Sequence, residues 1–309
     1  LARLAIRVSQ YFSTHPVNLI LKMKKVINRL LALSYGAYFN ILALFSKKLV
    51  GEKAFTLFSS PRKGKVLPLQ ASFLKKAEDI MIEVGGKQIQ TYSWAGTKET
   101  VLLLHGWESN SFRWRNLISF LSDENFAIVA FDAPAHGNSS GGIFNVPLYA
   151  ECAQHIVKHY KPTFIIGHSV GGMTALYHQY IYPHNSIQKI VTIGSPSELS
   201  ELMEYYQNLL GFNNKVLSAL DDYFQAHFGF EIQDFSISQF VQKIQIEGLL
   251  VHDIEDPITP YHNSEKVYAN WKNSKLISTR GLGHSMHQDN VNKQIIDFLK
   301  SKKRANFTA

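Results

Sequence analysis

In the stretch "TFIIGHSVGGMTALYHQY", Thr163 to Tyr180, a run of apolar, β-prone residues stops at Gly167-His168-Ser169-Val170-Gly171-Gly172, and a helical pattern follows at once. A serine hydroxyl is a weak nucleophile until a base takes its proton. On a sharp strand-to-helix turn its oxygen stands clear of the sheet edge. The amide of Val170, at the start of the helix, then offers a donor and a positive dipole end to a developing oxyanion. The small residues around Ser169 permit such a turn, and G-x-S-x-G is the nucleophile-elbow pattern. Adjacent side chains point different ways, so His168 reads as a packing or pocket-wall residue rather than as the base. The competing reading is a serine that only serves a turn.

A serine of this kind needs an imidazole and a carboxylate within reach. The segment "LLVHDIEDPITP" places Asp253, Glu255 and Asp256 at the end of an apolar run. Pro257 and Thr259-Pro260 end that run and begin a helix, which makes Asp256 the carboxylate best placed to project from the loop. Asp253 competes with it. In "STRGLGHSMHQDN", His284 follows Gly283 on a loop after a short strand, and His287 lies three residues on. The alternative for either histidine is a surface loop residue.

The elements that would position these groups alternate along the chain. "TVLLLHGW", "FAIVAFDAPAHG", "TFIIGHS", "KIVTIGSP" and "EGLLVHDIEDP" are short apolar runs ending in Gly, Pro, Asp or His, as expected of central strands covered on both faces. Helical patterns fall at 111–121, 147–160, 170–181, 260–271 and 290–299. The pattern predicts an α/β, mostly parallel, doubly wound sheet, with its chemistry at the carboxyl ends of the strands. "DIMIEVGGKQIQTYSWAG" predicts a β-hairpin turning at Gly85-Gly86. Between two predicted strands, residues 197–245 carry many aromatic residues and predict a helical cap insertion that would wall an apolar pocket.

The chain has 309 residues, 45% of them hydrophobic, enough for one large core. Its single cysteine, Cys152, excludes an intrachain disulfide and a cysteine zinc site, and fits a reducing compartment. The net charge of +8 is uneven: residues 1–77 carry fourteen Lys/Arg and one acid, and the remainder is net −5. We therefore expect a basic N-terminal helical arm and connector at 1–77, followed by a catalytic domain at 78–309. Within the arm, "LLALSYGAYFNILALFS" has no charge and is flanked by Lys22, Lys24, Lys25, Lys47 and Lys48. Three readings stay open for it: a helix packed on the body or a partner, an interfacial membrane anchor, or a span. "MKKVINRLL" at Met23 offers a natural start, which would make 1–22 an upstream extension. From Ser60, the Pro-, Gly- and Lys-rich stretch reads as a connector. The arm's charge is all that speaks for nucleic acid, and no nucleic-acid partner is expected.

The order Ser169, Asp256, His284, with "HGW" at His105–Trp107, "DAPAHGNSSG" at Asp132–Gly141, "GHSVGG" at Gly167–Gly172 and "GLGH" at Gly281–His284, resembles the α/β-hydrolase fold over about 80–299. The resemblance implies Ser169 as nucleophile, His284 as general base and acid, and Asp256 as the group that orients the imidazole. It also implies an oxyanion hole from the backbone amides of Trp107 and Val170. Two positions depart from the family pattern: Ala135 stands for the glycine of D-x-P-G-H-G-x-S, and Asp253 stands where the strand commonly ends in Gly.

The expected reaction is hydrolysis of a carboxylic ester or thioester with an apolar acyl or alcohol part, through an acyl-enzyme, by a cytoplasmic protein. No cofactor and no metal are expected, and a membrane surface is a candidate partner for the arm. The alternatives are an amidase, a carbon–carbon bond hydrolase or a cofactor-free haloperoxidase on the same fold, or a non-catalytic binding protein.

Overall fold

The hairpin at Gly85-Gly86 starts the sheet: Val84 pairs with Lys87, and the antiparallel register runs back to Glu78 opposite Ser93. In the computed structural model the described residues are 23–24 and 26–302. Lys22, Lys25, the expected upstream extension 1–22 and the tail 303–309 lie outside them.

In chain order, the first elements are α1 (26–42), α2 (Lys47–Ser59), α3 (Pro68–Leu74), β1 (Glu78–Val84), β2 (Lys87–Trp94), β3 (Thr100–Leu104), α4 (Arg115–Asp123) and β4 (Ala127–Phe131). Next come α5 (Val146–Tyr160), β5 (Phe164–His168), α6 (Val170–Ile181), β6 (Lys189–Ile193), α7 (Leu199–Leu210) and α8 (Asn214–Phe228). The chain closes with α9 (Ile237–Phe240), β7 (Glu247–Asp253), α10 (His262–Asn270), β8 (Ser274–Thr279) and α11 (Asp289–Lys300). Contacts divide it into two units, one of Thr56–Leu199 with the chain from Phe235 on, the other of the chain up to Phe55 with Ser200–Asp234.

The first unit holds the sheet, in the order β1-β2-β4-β3-β5-β6-β7-β8. β2 runs antiparallel to β1 and β4, and the other pairs are parallel. β5 and β6 are buried throughout and β3 at every residue after the first, as two-sided coverage by helices requires. On one face, Leu117, Leu121, Ile295 and Phe298 of α4 and α11 pack with Leu103, Ile166, Val191 and Val251 of the strands. α5 and α6 contact each other, and α6 contacts β3, β5 and β6.

Local chemistry sets several boundaries. Asn145 Oδ1 accepts the Leu148 amide at 2.9 Å and caps α5 at the residue before Val146. The expected helix from Ser111 begins as a 3₁₀ turn, Ser111–Trp114, because Asn110 Oδ1 takes the Phe112 amide and Asp132 Oδ1 takes both the amide and hydroxyl of Ser111. The connector is more ordered than its composition suggested. It contains α3, and the Gly64 carbonyl accepts from the Gly137 amide at 2.9 Å and from Asn110 Nδ2 at 3.2 Å.

The second unit is helical. Gly36 lies against the end of α7 so closely that a Cβ there would sit 1.8 Å from the Leu210 carbonyl oxygen. Asn40 seals the contact by donating to the Gly211 carbonyl and accepting the Asn213 amide. Phe55 stacks on Tyr223 at 4.6 Å and meets Phe224 edge-on. One face of the apolar arm is therefore packed on the insertion helices. Among the described residues, no helix is long and apolar enough to cross a membrane.

The aromatic residues of the insertion are used differently from the expectation. Tyr223, Phe224, Phe228 and Phe230 stack among themselves and with Phe55, because a small helical unit needs a core of its own. Phe235 and Phe240 pack on Tyr177 and Tyr180 of α6.

Candidate active site

Ser169 caps α6 with φ 55° and ψ −129°, a region that costs an L-residue about 1–2 kcal/mol. The surroundings hold it there. Its amide donates to the Ile193 carbonyl at 2.8 Å, and its carbonyl accepts the Gly172 amide at 2.9 Å. The helix can start this close to the sheet only because residue 171 is glycine: a Cβ there would lie 2.2 Å from the Leu104 carbonyl oxygen.

The main chain after β3 runs against Ser169. A Cβ on Gly106 would lie 3.0 Å from both Ser169 Cβ and His168 Nδ1, so the backbone at Gly106 abuts the turn. Two buried histidines fix this loop. His105 Nε2 accepts the Ala133 amide at 2.9 Å, so its Nδ1–H donates to the Gly106 carbonyl. His136 Nε2 accepts the Glu108 amide at 3.0 Å, so its Nδ1–H donates to the Pro134 carbonyl. Both rings must be neutral to do this, and burial pushes both pKa values down to about 4. The Trp107 ring packs edge-on against His136 and Phe144. Ala135, at the position of the family glycine, keeps a left-handed φ of 65°.

At the ends of β7 and β8, His284 Nδ1–H donates to Asp256 Oδ2 at 2.7 Å. Asp256 Oδ1 accepts the amides of Ile258 and Thr259 at 2.8 and 3.0 Å. Burial alone would raise the pKa of this carboxyl. The donors His252 and His284, with the two amides, outweigh burial and hold it well below the usual carboxylate range. Asp256 and its imidazole therefore stay paired as carboxylate and N–H donor.

His252 is the partner that sequence reasoning passed over. Fully buried, it lies 3.4 Å from Asp256 Oδ2 through Nε2, which also reaches the Thr259 carbonyl at 2.9 Å. Its signal was its place in the same strand end, four residues before Asp256. Asp253 is fully buried and committed elsewhere: Oδ1 accepts the Glu255 amide, and Oδ2 accepts Thr279 Oγ1 at 2.8 Å and the Leu282 amide at 2.9 Å. It ties the loop carrying His284 to the end of β7. Its backbone and side-chain donors overcome the effect of burial and lower its pKa as well.

His168 does more than pack. Its ring lies 4.7 Å from that of His284, and Nε2–H donates to the His284 carbonyl at 2.9 Å. His287, the other histidine of the loop, accepts from Arg113 Nη1 at 3.2 Å, while Nη2 donates to the Ser285 carbonyl. Burial, and then the neighbouring guanidinium, lower His287 to about 4. Ser169 and the Asp256–His284 pair converge on the end of β6. Ile193 holds the Ser169 amide, and a Cβ on the next residue, Gly194, would lie 3.3 Å from both Asp256 Oδ2 and His284 Nδ1. Cys152 is buried in α5, and burial pushes its thiol up to about 12. Among the described residues, no group of three His, Cys, Asp or Glu side chains could hold a metal ion.

This arrangement can present a serine oxygen, an imidazole oriented by a carboxylate, and backbone donors. Comparison with known proteins agrees with it at the level of family. Residues 99–229 match the family model of the alpha/beta hydrolase fold, and residues 234–306 match the model described as TAP-like protein. The chain is 24% identical over 250 residues to a bifunctional esterase/perhydrolase of Acinetobacter calcoaceticus, covering 64% of this chain and 90% of that one. It is 25% identical to a non-heme haloperoxidase of Rhodococcus erythropolis, over 70% of this chain and 97% of that one. Among solved structures, an esterase from Exiguobacterium antarcticum superposes with a TM-score of 0.58 at 17% identity, covering 72% of this chain and all of that one. With two consecutive matches spanning the sheet from β3 to α11, the chain belongs to the α/β-hydrolase superfamily and is a hydrolase of that family.

Proposed function

We propose that the protein is a serine hydrolase that cleaves a carboxylic ester or thioester through an acyl-enzyme. Ser169 Oγ attacks the acyl carbonyl and His284 Nε2 takes its proton. Nε2 has this role because Nδ1 is occupied by Asp256. The tetrahedral oxyanion is held by the amides of Trp107 and Val170. Collapse breaks the bond to the alkoxide or thiolate, which leaves with the proton from Nε2. Water, deprotonated by the same imidazole, then releases the acid and restores Ser169.

The observation that carries this reading is the 2.7 Å contact of His284 Nδ1 with a carboxylate whose other oxygen is already saturated by two amides. Such a carboxylate is held in one orientation, and so is the imidazole. The apolar ring of Trp107, which follows Gly106 in the chain and packs on Phe144, favours an ester with an apolar acyl or alcohol part. The buried lone cysteine suits a reducing cytoplasm. Hydrolysis of p-nitrophenyl esters of graded chain length, by wild type and Ser169→Ala, tests the proposal. Wild type should turn over at least one chain length, and the variant should lose about 10³-fold or more in kcat. Equal activity in both would overturn it.

A further inference from the structure

We propose that the outer face of α1, with the turn that follows it, docks on an anionic lipid surface and lies in the plane of the headgroups. The inference is independent of the catalytic assignment and concerns the helical unit alone.

α1 buries only Gly36 and Phe39 completely. At 100° per residue, Val26, Ile27, Leu30 and Ile41 fall on the opposite side. Those four are exposed, with Leu44 and Phe45 beyond them at 65% and 81%. Water gains nothing from such a surface, and soluble monomers rarely carry an apolar patch of this extent without a partner for it. No charged residue interrupts the face between Arg29 and Lys47. The length and burial exclude a span, because seventeen residues cover only about 25 Å as a helix and one face is already packed on protein.

The charges choose the partner. Lys24 and Arg29 stand at one end of the apolar face and Lys48 at the other, where the neighbouring Lys47 is paired with Asp222 at 2.6 Å. If a second copy covered the face, antiparallel pairing would set Arg29 against Lys48, and parallel pairing would set like residues together. Both bring cations into contact. An anionic headgroup layer instead meets apolar surface with acyl chains and both basic ends with opposite charge, at about 1 kcal/mol per basic residue near the surface.

The test is co-sedimentation of the full chain with vesicles of phosphatidylcholine containing 30 mol% phosphatidylserine, and with phosphatidylcholine alone. Wild type should partition at least tenfold more strongly to the anionic vesicles, and added salt should reduce the difference. L44E combined with F45E should lower binding at least tenfold, and R29E with K48E should abolish the preference for phosphatidylserine. These side chains are exposed, so melting followed by circular dichroism should be unchanged. Wild type that stays in solution with both vesicles would overturn the proposal, as would L44E/F45E binding like wild type. So would a wild-type dimer in sedimentation velocity that L44E/F45E dissociates while vesicles recruit neither.

Discussion

The two carboxylates at the end of β7 should respond very differently to the same isosteric change. In Asp256→Asn, the side-chain oxygen keeps the amides of Ile258 and Thr259, so the new NH₂ faces His284 Nδ1. Two donors cannot share that contact. The ring must move its proton to Nε2, where it can no longer accept the serine proton, and kcat should fall about 10⁴-fold. In Asp253→Asn, the oxygen keeps the Glu255 amide, and the NH₂ faces Thr279 Oγ1 and the Leu282 amide. The hydroxyl can turn and accept; the Leu282 amide cannot. One buried donor left unpaired costs about 1–3 kcal/mol. If all of it fell on the position of His284, kcat would drop roughly 5- to 150-fold. Steady-state kinetics on the best p-nitrophenyl ester, with thermal melting as a fold control, compares them. A 10⁴-fold loss in Asp253→Asn with a small loss in Asp256→Asn would refute the assignment of the acid.

Further outcomes follow from the same contacts. His105, His136 and His178 are buried and lowered to about 4, mainly by burial. In the unfolded chain they protonate near 6.5, so their stabilising contribution is complete above that pH and declines as pH falls towards 4. Each can cost up to about 3 kcal/mol in acid, and melting curves should show steep loss of stability between about pH 6 and 4. Flat melting temperatures across that range would contradict the neutral tautomers. Gly171→Ala forces a Cβ to 2.2 Å from a backbone oxygen; it should destabilise the protein by about 1–3 kcal/mol or more in urea unfolding and abolish activity. Gly106→Ala, at 3.0 Å from Ser169 Cβ, should leave the melt nearly unchanged but reduce kcat about 10- to 100-fold with little change in KM. Lys189 Nζ donates to the Phe298 and Leu299 carbonyls at the end of α11. Lys189→Met should therefore lower stability by roughly 2 kcal/mol in denaturant unfolding without altering kcat.

What the sequence made legible follows its periodicities. The runs around Leu103, Ile166, Val191 and Leu250 are short and nearly continuously apolar, the pattern of a strand covered on both faces. Gly85-Gly86 reads as a hairpin because its neighbours alternate. Side-chain pairing across the chain is not periodic, and there the reading stops short. Asp253 and Asp256 are three residues apart at one strand end and both accept amides, so only their side-chain partners distinguish them: Thr279 for one, two imidazoles for the other. His168 looked like wall material, yet its Nε2–H reaches the carbonyl of His284, 116 residues later. The rings of the insertion predicted a pocket wall, but hydrophobicity does not say which surface a ring will meet, and several of them build the core of the helical unit around Phe55. Likewise, the apolar arm carries one signal for two faces, of which only the side with Gly36 and Phe39 is packed.

The central claim is that Ser169, and no other side chain, is the activated nucleophile. Incubation of the folded chain with a fluorophosphonate, followed by intact and peptide mass spectrometry, reads this directly. The account predicts one adduct per chain on the peptide containing Gly167-His168-Ser169-Val170-Gly171, and none in Ser169→Ala. Folded wild-type protein that takes up no label, or an adduct that persists in Ser169→Ala, would contradict it.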